Sequence, residues 1–344
     1  MPPSNEAAWL TSKATPLEVR SAPYTSPGEH EIVIKNSALA INPADWFQQA
    51  FVPFPLNFPA ILGHDVAGVV EEVGSLVTRF KAGDRVLGHA RGMESKRDSD
   101  GTFQKYVIVQ DNMASHIPST LSFEAASVVP LGFSTAASSL YQKDYLALEY
   151  PSVHPKSNGK VLLVWAGSTS VGSNAIQLGV ASGYEVFTTA SPRNFDYVKK
   201  LGASQVFDYS SKTVVDDLVK ALQGKVVVGA LDAITQHGAV KLCAEVLSKA
   251  EDANGFIVTV MDPKFIGEVE LPEGVQTKVI WAFGLAHNEV GKIVYEDYLP
   301  KALEAGKFVA APDYEVVGSG LEAIQLALDT QKKGVSAKKI IVTL

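Results

Sequence analysis

Residues 159–172 carry the strongest chemical signal in this sequence. A continuous apolar run at 161–166 is followed by a turn of glycine and hydroxyl residues and then by a helical pattern from Ser173. The run is typical of a buried parallel strand. A small-residue turn that leads into a helix presents backbone N–H groups and the positive end of the helix dipole to a phosphate. The segment from Gly167 to Gly172 therefore predicts a cradle for the pyrophosphate of a dinucleotide.

The match of this turn to the pattern GxGxxG is incomplete. Gly167 and Gly172 fit the outer positions, and Thr169 takes the place of the middle glycine. Such a turn by itself is equally typical of an ordinary strand-to-helix connection. A second strand at 184–189, followed by a helix that ends at Gly202, completes the spacing of a Rossmann βαβ unit and favours the nucleotide-binding interpretation.

The residues after the second strand indicate which dinucleotide binds. In an NAD-binding unit an Asp or Glu about 20 residues beyond the glycines binds the ribose hydroxyls. This chain has no acid at 189–194, where it offers the hydroxyl of Ser191, the guanidinium of Arg193 and the amide of Asn194. These donors suit a 2′-phosphate, so we predict NADP(H) as the cofactor.

The composition excludes several function classes. A chain of 344 residues, 46% of them hydrophobic, corresponds to about two domains with a core each. A net charge of -7 argues against nucleic-acid and anionic-membrane partners. The sequence shows no signal-peptide pattern and no apolar run near the roughly 18 residues of a membrane span, so we expect a cytoplasmic protein. The single cysteine, Cys243, excludes multi-cysteine zinc sites.

The hydrophobic pattern changes along the chain. Short alternating strands at 31–40, 66–73 and 85–87 predict a β-rich, barrel-like first domain. From residue 161 strands alternate with helices, which predicts a doubly wound parallel sheet of about six strands, the last at 278–283. The C-terminal tail, with two helical stretches and a final strand at 339–343, is expected to return to the first domain.

A set of motifs in fixed order resembles the medium-chain dehydrogenase/reductase superfamily. The motifs are Asn42 to Asp45, Gly63 to Val70, Gly83 to Val86, Gly101 to Phe103, Ala166 to Gly172, and Leu231 with Asp232. The resemblance spans essentially the whole chain and is greatest to zinc-independent quinone reductases and fungal trans-acting enoyl reductases. It implies an α/β protein with a GroES-like β-rich catalytic domain at 1–126, a Rossmann NADPH-binding domain with a doubly wound parallel sheet at 127–285, and a C-terminal return to the catalytic domain at 286–344.

The resemblance also bears on metal binding. Zinc-containing relatives hold the metal with a Cys, a His and a second Cys, where this chain has Asn42, His64 and a residue near Leu131. Catalytic zinc needs three protein ligands, so we predict no metal and interpret His64 as a hydrogen-bonded structural residue. Without a Lewis acid, hydride delivery favours an activated acceptor such as a quinone or an α,β-unsaturated carbonyl.

Asn42 is the candidate catalytic residue, because its amide can position the substrate or donate to a developing enolate. An Asn before a proline also commonly forms a simple turn. Two positions after Asp45, where related reductases often carry Lys or Tyr, this chain has Phe47, which we assign to the cleft wall without an acid role. Other aromatic residues predicted to line this apolar wall are Trp46, Phe51, Phe54 and Phe58. No residue is assigned as the proton donor.

Further cofactor contacts are implied by the resemblance, position by position. The pyrophosphate turn comprises Gly167, Ser168, Thr169, Ser170 and Val171. The 2′-phosphate end comprises Ser191, Arg193, Asn194 and Tyr209. The nicotinamide end comprises Thr135, Ile234, Thr235, Ala282 and Phe283. Lys338 lies in a C-terminal segment that often reaches back to the cofactor, and it could equally be a solvated charge.

The predicted function is a zinc-independent, NADPH-dependent oxidoreductase that delivers hydride to an activated C=C bond or a quinone. Its expected substrate is a small hydrophobic enone, quinone or enoyl compound, with no nucleic-acid or membrane partner. Two alternatives stay open: a trans-acting enoyl reductase of a polyketide pathway, and a non-catalytic NADPH-binding protein of the crystallin-like or regulatory kind. The apolar segment 278–283 predicts a sheet edge that related reductases pair across a two-fold axis, which makes a homodimer possible.

Overall fold

A computed structural model describes residues 3–267 and 269–344 of the chain. Its strands are β1 Asn5–Leu10, β2 Glu18–Ala22, β3 Glu31–Ala40, β4 Ala60–Ile61, β5 Asp65–Val73, β6 Arg85–His89, β7 Tyr106–Gln110, β8 Ala114–His116, β9 Val161–Trp165, β10 Glu185–Ala190, β11 Gln205–Asp208, β12 Val226–Asp232, β13 Asp252–Ala253, β14 Phe256–Thr259, β15 Gln276–Val279, β16 Asp313–Ser319 and β17 Lys338–Thr343.

Its α-helices are α1 Pro43–Phe51, α2 Gly92–Ser95, α3 Phe123–Ser127, α4 Pro130–Tyr141, α5 Ser170–Ala181, α6 Phe195–Lys200, α7 Val214–Ala221, α8 Ala239–Lys249, α9 Glu289–Lys292, α10 Leu299–Glu304 and α11 Ile324–Lys332. Short 3-10 turns lie at Asp98–Asp100, Asp111–Met113, Pro192–Asn194, Pro263–Ile266, Ala282–His287 and Leu321–Ala323, and Ile293–Tyr298 is π-helical. Across the described residues, none of these helices has the length and apolar character needed to cross a bilayer.

The first structural unit is rich in β-structure and contains Met1–Leu131, Ala286–Gly306 and Ala310–Leu344. Its main sheet has the order β16-β17-β3-β5-β6-β8, and β7 also pairs with β3. The central strand β3 is buried along most of its length because it is paired with β5, β7 and β17. The antiparallel pairing of β17 with β3 brings the C-terminal strand beside the segment that leads into α1.

The second structural unit contains Gly132–Leu285 and Lys307–Val309. Its sheet has the order β11-β10-β9-β12-β14-β15, and each of these pairs is parallel. This is the doubly wound Rossmann order 3-2-1-4-5-6, in which the direction of winding reverses between the first and fourth strands. Each residue of β9 is buried, as expected for a central strand that helices cover on both faces. The predicted fold class is confirmed.

The predicted last strand at 278–283 is wrong over its last four residues, 280–283, because β15 spans Gln276–Val279. The ladder with β14 ends at Val279, after which Ile280 donates its N–H to Thr259 O at 2.9 Å. The N–H of Trp281 donates instead to the hydroxyl of Tyr145 at 3.0 Å, and a 3-10 turn begins at Ala282. The strand thus ends where the backbone of Trp281 donates to Tyr145, a residue distant in the sequence. Such a contact cannot be predicted from the local pattern of apolar residues.

Candidate active site

The glycine turn at 167–172 of the second unit joins β9 to α5. The hydroxyl of Thr169 accepts the N–H of Gly172 at 3.0 Å and donates to Ala166 O at 2.9 Å. Thr169 thus caps helix α5, which is why a threonine can stand where GxGxxG has its middle glycine. The left-handed conformation at the strand end falls on Ala166, with φ of 65°. The turn therefore keeps the shape of a Rossmann turn. Its left-handed residue is Ala166, and its middle glycine is replaced by the helix-capping Thr169.

The geometry of this turn fits a dinucleotide pyrophosphate. A Cβ at Gly172 would lie 2.3 Å from Ala166 O, and one at Gly167 would lie 2.2 Å from the hydroxyl of Thr188, so both positions require glycine. Among the described residues the buried hydroxyl of Ser170 has no hydrogen-bond partner. Ser170 opens a twelve-residue helix whose N-terminal backbone donors favour an anion.

A cluster of polar side chains lies beside the turn, where the 2′-phosphate is predicted. The Asn194 amide nitrogen donates to Ser168 Oγ at 3.3 Å and to Ser191 Oγ at 3.1 Å. Arg193 is exposed, and Tyr209, directly after β11, is 47% exposed. The structure thus brings Ser168, Ser191 and Asn194 together and leaves two larger side chains accessible around them.

The segment after β12 holds two of the predicted nicotinamide contacts, Ile234 and Thr235. Asp232 Oδ1 accepts both of their backbone N–H groups, at 3.1 Å and 3.0 Å. Thr235 adopts a left-handed φ of 61°, and its hydroxyl accepts the N–H of Met261 at 3.2 Å. Asp232 is therefore the residue that fixes this loop at the carboxyl end of the sheet.

The Asp232 carboxyl group is fully buried, and burial raises its pKa to about 6. Its Oδ2 atom has no hydrogen-bond partner within the described part of the chain. The two backbone donors on Oδ1 act in the opposite direction and favour the charged form.

The other predicted nicotinamide contacts lie along helix α4 and in the 3-10 turn after β15. Thr135, Ala282 and Phe283 are all buried. Ser138, one helical turn beyond Thr135, donates to Ala282 O at 3.3 Å. Helix α4 therefore holds this turn in place.

The first unit contains a buried polar network around Asn42, the candidate catalytic residue. The Asn42 amide nitrogen donates to Asp65 Oδ2 at 2.9 Å, and its Oδ1 accepts a short hydrogen bond from the ammonium of Lys339. Lys339 also forms an ion pair with Asp65 at 3.0 Å. Asp65 Oδ1 accepts the N–H of Leu131 at 2.6 Å. Asn42 itself is 3% exposed, so its amide is held in one orientation below the surface.

His64 belongs to the same network through Asp45. Asp45 Oδ1 contacts His64 Nδ1 at 2.6 Å, while its Oδ2 accepts the N–H of Asn42 at 2.7 Å. Burial acts to lower the His64 pKa, but the Asp45 carboxylate outweighs it and raises that pKa. The neighbouring His89 has its pKa lowered well below the usual value, by burial and then by the charge of His64. His64 is hydrogen-bonded as expected, with Asp45 as the partner.

His64 and Asp45 line a small cavity of about 20 Å³. Its other lining residues are Gln48, Leu56, Ile61, Leu62, Gly63, Gly92 and Met93. The walls are mainly apolar, with a His and two polar side chains converging on a space of about one water molecule.

The donor set around His64 does not fit a zinc ion. The resemblance places Asn42 and a residue near Leu131 where zinc-containing relatives have cysteines, and Lys339 brings a fixed positive charge onto Asp65. Within 3–267 and 269–344, no group of three or more His, Cys, Asp or Glu side chains could hold a metal ion. A buried ammonium repels a divalent cation, so we derive no catalytic step through zinc.

The aromatic segment around Phe47 divides into a packed part and an exposed part. The Phe47 ring lies 5.8 Å from that of Trp46 and 4.9 Å from that of Phe51. Phe51 is 54% exposed, and Phe54 and Phe58 are each 41% exposed. Residues 46–63 contain no charged side chain, and the ammonium of Lys332 lies 5.8 Å from the centre of the Trp46 ring, so Phe51, Phe54 and Phe58 are exposed apolar rings with a cation nearby on the first unit.

The two adjacent lysines at the C-terminus have different environments. Lys338 is exposed and pairs with Asp313 at 3.4 Å, whereas Lys339 is 4% exposed within the Asn42 network. Sequence reasoning singled out Lys338 and missed Lys339, together with the roles of Asp45, Asp65 and Asp232. One sequence signal could have indicated that Lys339 is buried: it directly precedes the apolar run Ile340, Ile341, Val342, which is typical of a strand buried on both faces.

The two sheets and the glycine turn together define a class of protein, the two-domain oxidoreductases that bind a nicotinamide dinucleotide. Comparison with known proteins gives the family. The alcohol dehydrogenase GroES-like domain family matches residues 28–119. The zinc-binding alcohol dehydrogenase domain-containing protein cipB of Emericella nidulans is 52% identical over 99% of this chain and 98% of its own length.

Further similarity comes from a second fungal protein and from a solved structure. The trans-enoyl reductase himH of Aspergillus japonicus is 42% identical over 99% of this chain and 97% of its own. A quinone oxidoreductase structure from Pseudomonas syringae superimposes with a TM-score of 0.72 at 22% identity, covering 99% of this chain and 100% of its own. The chain belongs to the medium-chain dehydrogenase/reductase superfamily, in the branch of these fungal dehydrogenases and trans-enoyl reductases. It is an oxidoreductase, and membership implies a nicotinamide cofactor.

Proposed function

We propose that this protein is an NADPH-dependent, zinc-independent reductase of activated C=C bonds or quinones. The reaction is of the enoyl reductase type. The proposal is carried by two observations: the Rossmann turn requires its glycines, and the buried network around His64 offers no metal-ligand set among the described residues. A single buried cysteine suits the reducing cytoplasm, which is the location we propose.

The second unit supplies the proposed cofactor-binding residues. Backbone donors of the turn and the hydroxyl of Ser170 bind the pyrophosphate, while Arg193 and Asn194 bind the 2′-phosphate. Ile234 and Thr235, held by Asp232, are proposed to contact the nicotinamide. When bound, NADPH would supply a hydride, which carries both electrons of the reduction.

The first unit supplies the proposed groups for the substrate. The amide nitrogen of Asn42 carries two hydrogens, so it can donate one to Asp65 and one to a substrate oxygen. A donor fixed before the reaction stabilises a developing enolate without further reorganisation. Phe51, Phe54 and Phe58 present an apolar surface that matches a small hydrophobic enone, quinone or enoyl compound.

The test of this function measures NADPH oxidation with a panel of enones, quinones and saturated ketones. We expect turnover of the conjugated acceptors and none of the saturated ketones, because only the former can delocalise the charge left by hydride addition. A strong chelator should leave the rate unchanged, and elemental analysis should find no stoichiometric zinc. Tight NADPH binding without turnover of any acceptor would instead support a non-catalytic role.

A second candidate function is a trans-acting enoyl reductase that serves a polyketide pathway. The similarity to the trans-enoyl reductase himH favours it. The two functions differ in how the substrate arrives. Free enones and the same enoyl group on an acyl carrier protein should be compared at equal concentration. A rate on the carrier-bound substrate that greatly exceeds the rate on the free one would establish the trans-acting role.

We also propose a homodimer paired through β15. This strand lies at one end of the sheet, and Gln276 and Ile280 direct their N–H groups to β14. The N–H group of Thr277 therefore points away from β14, and further along the same edge the carbonyl oxygen of Val279 accepts the Tyr145 hydroxyl at 3.2 Å. Light scattering should give about twice 36.7 kDa, and Thr277→Pro should reduce it to 36.7 kDa without loss of ladder bonds. A wild-type mass of 36.7 kDa would exclude the dimer.

A further inference from the structure

The network around Asn42 joins four separate segments of the first unit through two carboxylates. Asp45 binds the start of α1 and His64, while Asp65 binds Leu131 and Asn42. Both carboxylates are fully buried. Buried charges require compensation by opposite charges and hydrogen bonds, so the network depends on the cations that it contains.

Lys339 supplies one of these cations from the C-terminal strand. Its ammonium contacts Asp65 Oδ2 at 3.0 Å and donates to Asn42 Oδ1. The position of Lys339 on β17 is fixed nearby, because Ile41 donates its N–H to Ile340 O at 2.9 Å. An ammonium is a donor only, so the atom of Asn42 that faces it must be the carbonyl oxygen.

We propose that Lys339 is a positioning residue that sets the orientation of the Asn42 amide. The ammonium binds the carbonyl oxygen of Asn42, and Asp65 accepts one of the two amide hydrogens. The second amide hydrogen is then held ready to be donated to a substrate oxygen. Without the ammonium, the carbonyl oxygen loses its donor, and the hydrogen bond to Asp65 alone is left to hold the amide in place. The inference rests on the proposed role of Asn42 and adds the residue that fixes it.

The first test replaces the lysine with an uncharged side chain of similar length, Lys339→Met. We expect kcat with an enone to fall about tenfold or more, because misplacing a catalytic donor has effects of that size. The KM for NADPH should be unchanged. In ¹⁵N NMR spectra the side-chain amide signals of Asn42, assigned with Asn42→Ala, should shift and lose protection from solvent exchange. Lys105→Met, which removes a lysine paired with Glu6 at the surface of the same unit, is the matched control and should change none of these.

A second variant separates positioning from folding. Lys339→Met with Asp65→Asn removes both charges of the pair, and such paired neutral replacements often restore stability. The asparagine can still accept the N–H of Leu131. We expect the melting temperature to recover and kcat to stay low, because the new amide, with its oxygen on Leu131, presents a donor to the Asn42 nitrogen and the Asn42 amide then has neither of its two partners. Recovery of both would show that Lys339 acts only on stability and would overturn the proposal.

The double variant Asn42→Ala with Lys339→Met tests whether the lysine acts through the amide. We expect no further loss of kcat beyond that of Asn42→Ala, since the two residues would act as one unit. Independent, multiplying losses would contradict the proposal. If the wild-type protein reduces no acceptor, the proposed function fails, and the NMR signals of Asn42 still decide whether Lys339 orients the amide. Unchanged signals in Lys339→Met would overturn the inference by themselves.

Discussion

Replacing Arg193 with alanine is expected to weaken NADPH binding about tenfold to a hundredfold and to leave NADH binding nearly unchanged. Arg193 lies in the 3-10 turn directly after β10, beside the cluster of Ser168, Ser191 and Asn194. The guanidinium offers a planar pair of donors to the 2′-phosphate, and removal of such a charge-assisted contact costs about 1.5 to 3 kcal/mol. Fluorescence titration with each dinucleotide measures both affinities.

The matched control for this variant is Lys199→Ala. Lys199 is also an exposed cation, on the helix that follows, and it is outside the proposed contacts. This control should change neither affinity. An equal loss of NADPH and NADH binding in Arg193→Ala would mean that the side chain supports the fold of the turn and does not recognise the phosphate.

Asp232→Asn is expected to stabilise the protein at neutral and alkaline pH and to have little effect at pH 4. Burial raises the pKa of Asp232 to about 6, against 3.8 for an ordinary aspartate. The folded protein therefore binds a proton between these values while the unfolded chain does not, and stability falls as the pH rises through this window. At one pKa unit per 1.36 kcal/mol, the full difference is about 3 kcal/mol.

Denaturant unfolding at a series of pH values measures this effect. Asparagine keeps an oxygen that can accept the N–H groups of Ile234 and Thr235, so the loop contacts are retained while the pH-dependent charge is removed. The gain over wild type should grow from about pH 4 and level off above about pH 6.5. Asp252→Asn, at an exposed carboxylate in the same unit, is the control and should show no such growth. A constant difference at every pH would contradict the raised pKa of Asp232.

The local pattern of apolar residues and turn residues was sufficient to predict many of the strands. The predicted strand at 31–40 coincides with β3, and the apolar run at 161–166 covers the whole of β9. Apolar runs bounded by clear turn signals favour such strands, because the signal lies within the segment itself. The prediction of a strand at 278–283 was wrong at the end where the N–H of Trp281 donates to Tyr145, a residue distant in the sequence.

The sequence by itself determined the fold class and the place of the glycine turn between β9 and α5, and it predicts that this turn and the donors after β10 bind the cofactor. These properties depend on residue types at short spacing, such as Gly167 and Gly172 within one turn. Only the tertiary structure decided which ionisable side chains are buried away from solvent and which residues form their hydrogen bonds and ion pairs. Asp65 and Lys339 are separated by most of the chain, and the pairing of β17 with β3 makes them neighbours. The free energy of a buried charge depends on the partners that surround it in the fold. Because the partner of Asp65 is distant in the sequence, the role of this pair could not be predicted from the neighbouring residues.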